Sequence, residues 1–372
     1  MQNTKLVIGA PIKHENILWA TKFFAPDALV FAKIDGKKIM IVNQLEYGRA
    51  KKESNVDEVL LPEELQVGKE KKKLALGEQA LLLLRKYEVS SITVQPEFFA
   101  AIYKYLIDNG ISIEFADPLF PERAVKTTDE IADITYAQRA MEEVFPMLVE
   151  MLVNAEIHNG KLWSGGEYIT SEMLRLFFDS ELMKRDCICD ATIIASGEQA
   201  ADPHCLGFGP IVANMPIVFD MFPRSRKKWY WSDMTRTVVK GKLSSEARKM
   251  YTAVLDAQCK SIEMVKAGVN YFDIHKTAID FLKERGFETG KNEEGYYGFF
   301  HSVGHGVGLE IHEPPFARQD KTTILETGNV ITIEPGLYYK GIGGVRIEDT
   351  MVVTETGCEN LARPSKELIE LP

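Results

Sequence analysis

Two periodicities alternate along the chain, and they predict its elements. Ala28-Leu-Val-Phe-Ala-Lys-Ile34 and Lys38-Ile-Met-Ile-Val42 are apolar runs flanking Asp35-Gly36. That dipeptide suits a tight turn needing positive φ, so a hairpin is expected. Leu81-Leu-Leu-Leu84 predicts a buried helical segment. Ser91–Val94, Glu97–Asn109, Gly110 and Ile111–Phe115 predict strand, helix, C-cap and strand. The basic run Lys69-Glu-Lys-Lys-Lys73 is expected to be a solvated loop. No glycine-rich phosphate loop occurs in this part.

The turn-rich stretch Asp117-Pro-Leu-Phe-Pro121 closes a first domain, placed at residues 1–122. Thr128 to Ala155 then predicts a long helix, with Thr127 or Thr128 as cap and Asp129 and Glu130 in the first turn. From 128 to 372 the pattern has a rhythm. Helical stretches at 128–157 and 168–185 precede strands near 190–197, 216–221 and 229–239. Helical stretches at 245–266 and 272–285 precede strands near 329–334 and 344–353. One αα-plus-sheet unit used twice is expected, with weak residue identity between the copies.

Composition narrows the class. The 372 residues suggest roughly two domains, and 45% hydrophobic with 26% charged residues is ordinary for a globular chain. No apolar run reaches the ~18 residues of a membrane span, and Met1–Lys5 leads into no long apolar signal core. A net charge of −10 argues against nucleic acid or an acidic membrane surface as partner. Cys187, Cys189, Cys205, Cys259 and Cys358 show no CxxC spacing. They read as free buried thiols in a reducing cytoplasm, with Cys187 and Cys189 on one strand face.

The chemistry concentrates in two predicted hairpins. Ile217-Val-Phe-Asp220 and Trp229-Tyr-Trp-Ser-Asp233-Met-Thr-Arg-Thr237 flank the basic loop Arg224–Lys228. The midpoint of 220 and 233 falls in that loop, so Asp220 and Asp233 are expected across from each other, with Cβ atoms ~5 Å apart. Val330-Ile-Thr-Ile-Glu334 and Val345-Arg-Ile-Glu348 flank Gly341-Ile-Gly-Gly344, and the midpoint of 334 and 348 is again in the loop. Acids this close repel unless one is protonated or a cation lies between them. Arg236 or Arg346 could neutralise one such pair; two similarly built hairpins favour a metal site.

A third element is His301-Ser-Val-Gly-His305-Gly-Val-Gly-Leu-Glu-Ile-His312-Glu-Pro-Pro315. Glycines 304, 306 and 308 argue against a helix. On an extended strand, His301 and His305 lie roughly 13 Å apart and cannot both touch one ion. One ligand histidine and two functional neighbours is the reading. Four carboxylates balance two dications, and this oxygen-rich set suits Mn²⁺, Fe²⁺ or Co²⁺ better than a structural zinc.

Taken together, Asp220, Ser232-Asp-Met-Thr-Arg-Thr237, Gly304-His-Gly-Val-Gly308, His312-Glu-x-Pro, Ile333-Glu-Pro-Gly336 and Gly344-Val-Arg-Ile-Glu-Asp349 closely resemble the Xaa-Pro aminopeptidase and prolidase branch of the pita-bread metallopeptidases. The resemblance runs from the N-terminal domain to Arg363. It includes Ala124–Thr127, Asp129–Ile131, Ile194–Gly197 and Pro203-His204. It implies an α+β fold: a pseudo-symmetric pita-bread domain, 128–372, after a smaller creatinase-type α/β domain. It implies Asp220, Asp233, His305, Glu334 and Glu348 as ligands of two divalent metals, Mn²⁺ foremost, with Co²⁺, Fe²⁺ or Zn²⁺ as the others. Asp233 and Glu348 would bridge, and His204, His301 and His312 would line the substrate site. The spacing of 13 between Asp220 and Asp233 is two residues more than the family pattern, and Phe222 replaces a glycine.

The resemblance implies hydrolysis of Xaa-Pro bonds in peptides. Glu334 would accept a proton and pass it to the proline nitrogen, and His312 would stabilise the developing oxyanion. Arg346 shares a strand face with Glu348 and would brace it. A homodimer is expected, with a proline-containing peptide as substrate. A methionine aminopeptidase, a creatinase-like hydrolase and a non-catalytic binding module are the competing readings. The last two are expected to lose metal ligands that this chain keeps.

Overall fold

The computed structural model describes residues 3–68, 72–319 and 322–372, in two compact units, 1–123 and 124–372. The basic run at 69–71 and the first two residues of the chain lie outside the described residues.

The first unit is built on a six-stranded mixed sheet. Its spatial order is Glu58–Leu60, Lys37–Ile41, Leu29–Ile34, Thr4–Gly9, Ser91–Val94, Ser112–Phe115. The hairpin turns at Asp35 and Gly36, with φ of 48° and 92°, and Ile34 pairs with Lys37. Helix Leu76–Lys86 buries Leu81, Leu83 and Leu84 against the sheet, and Gly110 adopts φ 86° after helix Ala100–Asp108.

In the second unit each half has its own core. Helix α1 (Thr128–Val153) and α2 (Ser171–Met183) pack on a sheet ordered Ile193–Ser196, Ile217–Met221, Met234–Lys240, Ile369–Leu371. Helix α3 (Ser245–Met264) and α4 (Tyr271–Glu284) pack on a second sheet, Glu313–Phe316, His305–Gly306, Val330–Ile333, Asp349–Val353, Cys358–Asn360. Thr127 caps α1 in a capping box with Glu130, whose carboxylate accepts from Thr127 N at 2.9 Å. Two separate cores, each of two helices on one sheet, are the physical content of the duplication.

The halves are joined along Met234–Lys240. Glu348 N donates to Thr235 O, Thr237 Oγ1 to Arg346 O and Thr350 Oγ1 to Asp233 O. The buried Arg236 guanidinium pairs with Asp349 at 2.8 Å and also donates to the carbonyls of Thr235 and Glu348. A strand from one half is therefore stitched to the acid-bearing segment of the other.

Three expectations need correction. The strand expected at 229–239 starts at Met234. Trp229 has φ 70°, and Trp231 leaves the ladder to donate from N to Gly308 O and from Nε1 to Leu309 O. The segment expected as a basic loop at Arg224–Lys228 is not all loop, because Arg224-Ser225 pairs with Cys187-Ile188. The thiols are free, but only Cys187 is fully buried; Cys259 is exposed, and Cys189 lies beyond the strand that holds Cys187.

Candidate metal centre

The sheet registers place the acids. Ile333 pairs with Asp349 and Gly336 with Arg346, so the same alignment sets Glu334 opposite Glu348. In the first hairpin Asp220 pairs with Thr235, not Asp233. The expected direct Asp220–Asp233 pair is corrected to a diagonal one, with Asp233 just ahead of the strand's first residue and two positions from Asp220's partner Thr235. The shift follows from the loop: its residues are held by Cys187-Ile188 and by Gly308-Leu309 instead of closing symmetrically.

His305 is placed by a two-residue strand and by close backbone approach. A Cβ at Gly304 would lie 2.1 Å from Thr332 O, and one at Gly308 would lie 2.3 Å from Glu313 Oε1. Only glycine lets the chain pass there, which is why this motif is glycine-rich. His301 lies outside that strand, so the extended strand expected across both histidines is confined to His305-Gly306. His305 Nδ1 faces Gly306 O at 3.1 Å, a contact that fixes the proton on Nδ1. Nε2 then turns to Glu334 Oε1 at 3.3 Å and Asp233 Oδ2 at 3.6 Å.

One ligand atom each from Asp233, His305 and Glu348 lies within 4.8 Å of the others, and all three residues are buried. Asp220 and Glu334 stand outside that trio. Asp220 is held by Arg346 Nη2 at 2.6 Å. The expected Arg346 brace on Glu348 is therefore indirect: Arg346 Nε contacts Thr235 Oγ1, which donates to Glu348 Oε2 at 2.7 Å. The strand ends at Arg346, so the two side chains do not share a strand face.

The electrostatics test whether a cation fits. Burial and then neighbouring carboxylates push Asp233 and Glu348 well above the ordinary range. Asp220 is also raised, mainly by burial, against the pull of Arg346. Burial pushes Glu334 the same way, but its hydrogen bond with His305 and nearby positive groups prevail and bring it down to about 2. Asp233 Oδ1 and Glu348 Oε1 are buried without a hydrogen-bond partner. Buried carboxylate oxygens without donors are costly, and a divalent ion with oxygen ligands removes that cost. The donor set fits such an ion.

A cavity of about 860 Å³ opens on this cluster and is lined by His204, His301 and His312 among others. The His312 ring meets that of His305 edge-on at 4.3 Å. Burial holds His301 and His312 neutral, each near pKa about 4. His301 Nε2 lies 3.0 Å from the Tyr338 hydroxyl, which accepts from Arg346 Nη1 at 2.7 Å. Tyr338 therefore donates to His301, and His301 keeps its own proton on Nδ1 toward Ser302 O at 2.8 Å.

Several residues of this network were not singled out by the sequence pattern. Thr235 carried a usable signal, because it lies two residues from Asp233 in the same motif. Tyr338 carried none that sets it apart from Tyr339. Lys126 and Glu313 form a fully buried ion pair at 2.7 Å beside His312; their separation by 187 residues hid it.

Two duplicated halves closing on a carboxylate-rich cation centre define the class of protein. Residues 130–355 match the model of metallopeptidase family M24, and the chain belongs to that family. It is 41% identical over 179 residues to a Xaa-Pro dipeptidase of Pyrococcus furiosus, covering 48% of this chain and 49% of that one. The chain spans about half the length of the curated relatives it matches first. Its fold matches the solved Xaa-Pro dipeptidase of Bacillus anthracis with TM-score 0.82 over 100% of this chain and 95% of the other, at 24% identity. It matches the prolidase of Pyrococcus horikoshii with TM-score 0.79 over 99% and 95%, at 27% identity. The fold is the pita-bread fold preceded by a smaller mixed α/β domain. No described helix is long and apolar enough to cross a membrane.

Proposed function

We propose that this chain is a dinuclear-metal peptidase that hydrolyses the Xaa-Pro bond of dipeptides or of peptide N-termini. The observation that carries the reading is the pair of buried, partnerless oxygens, Asp233 Oδ1 and Glu348 Oε1, beside His305 Nε2 on a substrate-sized cavity. Asp220, Asp233, His305, Glu334 and Glu348 would hold two divalent ions, Mn²⁺ first among them. When bound, they would supply Lewis acidity and bring the pKa of water toward ~7. The names of the relatives support the proline preference. Domain limits of 1–122 and 128–372, a cytoplasmic location and a homodimer complete the proposal.

The chain's own groups have separate tasks. Glu334, the acid of lowest pKa in the cluster, would take up a proton on Oε1 and deliver it to the leaving proline nitrogen. His312, neutral and facing the cavity, would donate to the developing oxyanion. His301, tied to Tyr338 and Ser302, would shape the wall beside the proline ring. His204 lines the same cavity from a loop in which its N–H is fixed by Asp202. A tertiary amide offers no N–H, so this site needs no acceptor for one.

The test combines metal assay and digestion. Dialysis against chelator should abolish cleavage of Xaa-Pro and Xaa-Pro-Yaa peptides, and Mn²⁺ or Co²⁺ should restore it. Xaa-Ala-Yaa should be cut roughly 10- to 200-fold more slowly. Full activity without metal would end the reading, and preference for Met-Ala would move it to methionine aminopeptidase.

A further inference from the structure

Beside the main cavity lies a second one of about 380 Å³. The two share Asp202, Pro203 and Phe300 in their linings. The second is walled by Tyr296, Tyr297 and Tyr338 as well as Phe300. Tyr296 and Phe300 stand 5.9 Å apart between ring centres, and Phe300 and Tyr338 5.5 Å. Tyr296 is 63% exposed, so its ring is accessible to a ligand in the annex. Tyr338 is also the residue that holds His301 and Arg346, so this annex adjoins the wall assigned above to the proline ring.

Resting on the Xaa-Pro reading, we infer that the annex binds the uncharged residues following the proline, making peptides longer than dipeptides the substrates of this chain. Three observations carry this. The main cavity alone has the size of a complete small-ligand site, so the annex is surplus to a dipeptide. Its aromatic walls suit a polyproline-like chain, which leaves Xaa-Pro extended and docks on aromatic grooves. Its charged lining residues are Asp202, Glu294 and Lys340, two acids against one base, so it does not favour a terminal carboxylate. Lys340 lies 3.9 Å from Glu294, and Lys291, behind the wall, lies over the Tyr296 ring at 5.2 Å. Arg318, which lines the main cavity, is where a dipeptide's carboxylate would find a cation instead.

The experiment compares Ala-Pro with amidated Ala-Pro-Pro-Tyr on the metal-loaded wild type, Tyr296→Ala and Tyr296→Phe. The wild type should favour the longer peptide by about tenfold or more in kcat/KM. Tyr296→Ala should cost the longer peptide roughly three- to tenfold, through KM, and leave Ala-Pro unchanged; Tyr296→Phe should restore it. Equal losses on both peptides, or no loss on the longer one, would overturn the inference. Calorimetric binding of Ala-Pro-Pro-Tyr amide whose Ala-Pro carbonyl is replaced by a methylene, and so cannot be hydrolysed, separates it from the peptidase reading. Weaker binding by Tyr296→Ala sustains the annex even if no peptide is cut, and unchanged binding removes it even if every Xaa-Pro peptide is.

Discussion

Glu58 and Glu348 are glutamates in different units whose carboxylates respond to folding in opposite ways. Glu58 accepts from Lys37 Nζ, the Tyr87 hydroxyl and Lys86 Nζ. Its partial burial raises the pKa, but those three donors outweigh it and hold the group at about 2. Glu348 has one donor, Thr235, and faces Glu334 and Asp220. Burial and those charges push it well above the usual range. The difference teaches that charge partners, not residue type, decide whether an acid is finished by the chain or left for something else to finish. Around Glu58 the protein supplies the cations. Around Asp233 and Glu348 it supplies further acids and a histidine whose Nε2 faces them.

The largest effect should come from breaking the unfinished cluster. Asp233→Ala or Glu348→Ala should abolish turnover and metal uptake while circular dichroism stays native. Metal at about 100 times its Kd should stabilise the wild type by ~2.7 kcal/mol and neither variant. Without metal, Asp233→Ala should melt no lower than the wild type, because the carboxylate it removes has an unpartnered oxygen. Near-normal turnover with metal retained would show that these acids are not ligands.

Next in size is the joint between the halves. Arg236→Met leaves the buried Asp349 with Lys366, 3.1 Å away, as its remaining cation and the Asn360 amide donating at 2.9 Å. Removing one partner of a buried pair costs ~3–5 kcal/mol, and the remaining lysine places this case near ~3. Denaturant unfolding of the full chain measures it. A loss below ~1 kcal/mol would mean that Arg236 does not hold the two sheets together.

Much of this architecture was legible in the sequence, for physical reasons that also explain the misses. Asp35-Gly36 set its hairpin because left-handed backbone is demanded at two consecutive positions and few dipeptides accept it. Glu334 and Glu348 face each other as expected because Gly336–Tyr339 and Gly343–Arg346 pair in unbroken register around a turn with left-handed glycines at 341 and 343, which its bond to Glu198 leaves in place. The same arithmetic shifted by one pair at Asp220 because Arg224-Ser225 and Trp231 bond to distant segments, and local symmetry carries no information about those. The acids and histidines of the cluster were visible as residue types at spacings. Their supporting contacts were not, since Lys126–Glu313 and Arg346–Asp220 join positions far apart in the chain.

Thr235 gives a finer test of the unfinished cluster. Its hydroxyl donates to Glu348 and receives Arg346 Nε. Thr235→Val keeps the shape and removes both bonds, so metal affinity should fall about 10- to 100-fold, read by chelator competition with Mn²⁺. Unchanged affinity would mean that Glu348 is oriented by the backbone alone.

The smallest effect belongs to the finished acid, and its pH dependence has a definite sign. The folded pKa of Glu58, about 2, lies below the ordinary glutamate value of 4.5. Its contribution is therefore complete above the unfolded pKa and disappears as pH falls from there toward 2. Glu58→Gln should destabilise the first unit at pH 7 by ~0.2–1 kcal/mol, the range for partly exposed ion pairs. Hydrogen exchange of the strand Glu58–Leu60 in the full chain reads this locally, as the ratio of variant to wild-type rates at each pH. That ratio should be a few-fold at pH 7 and approach one near pH 2–3. A ratio constant across this range would mean that the Glu58 charge contributes nothing and that the three donors serve only packing. A ratio that grew as the pH fell would reverse the sign and place Glu58 with Glu348, among the acids whose charge the fold opposes.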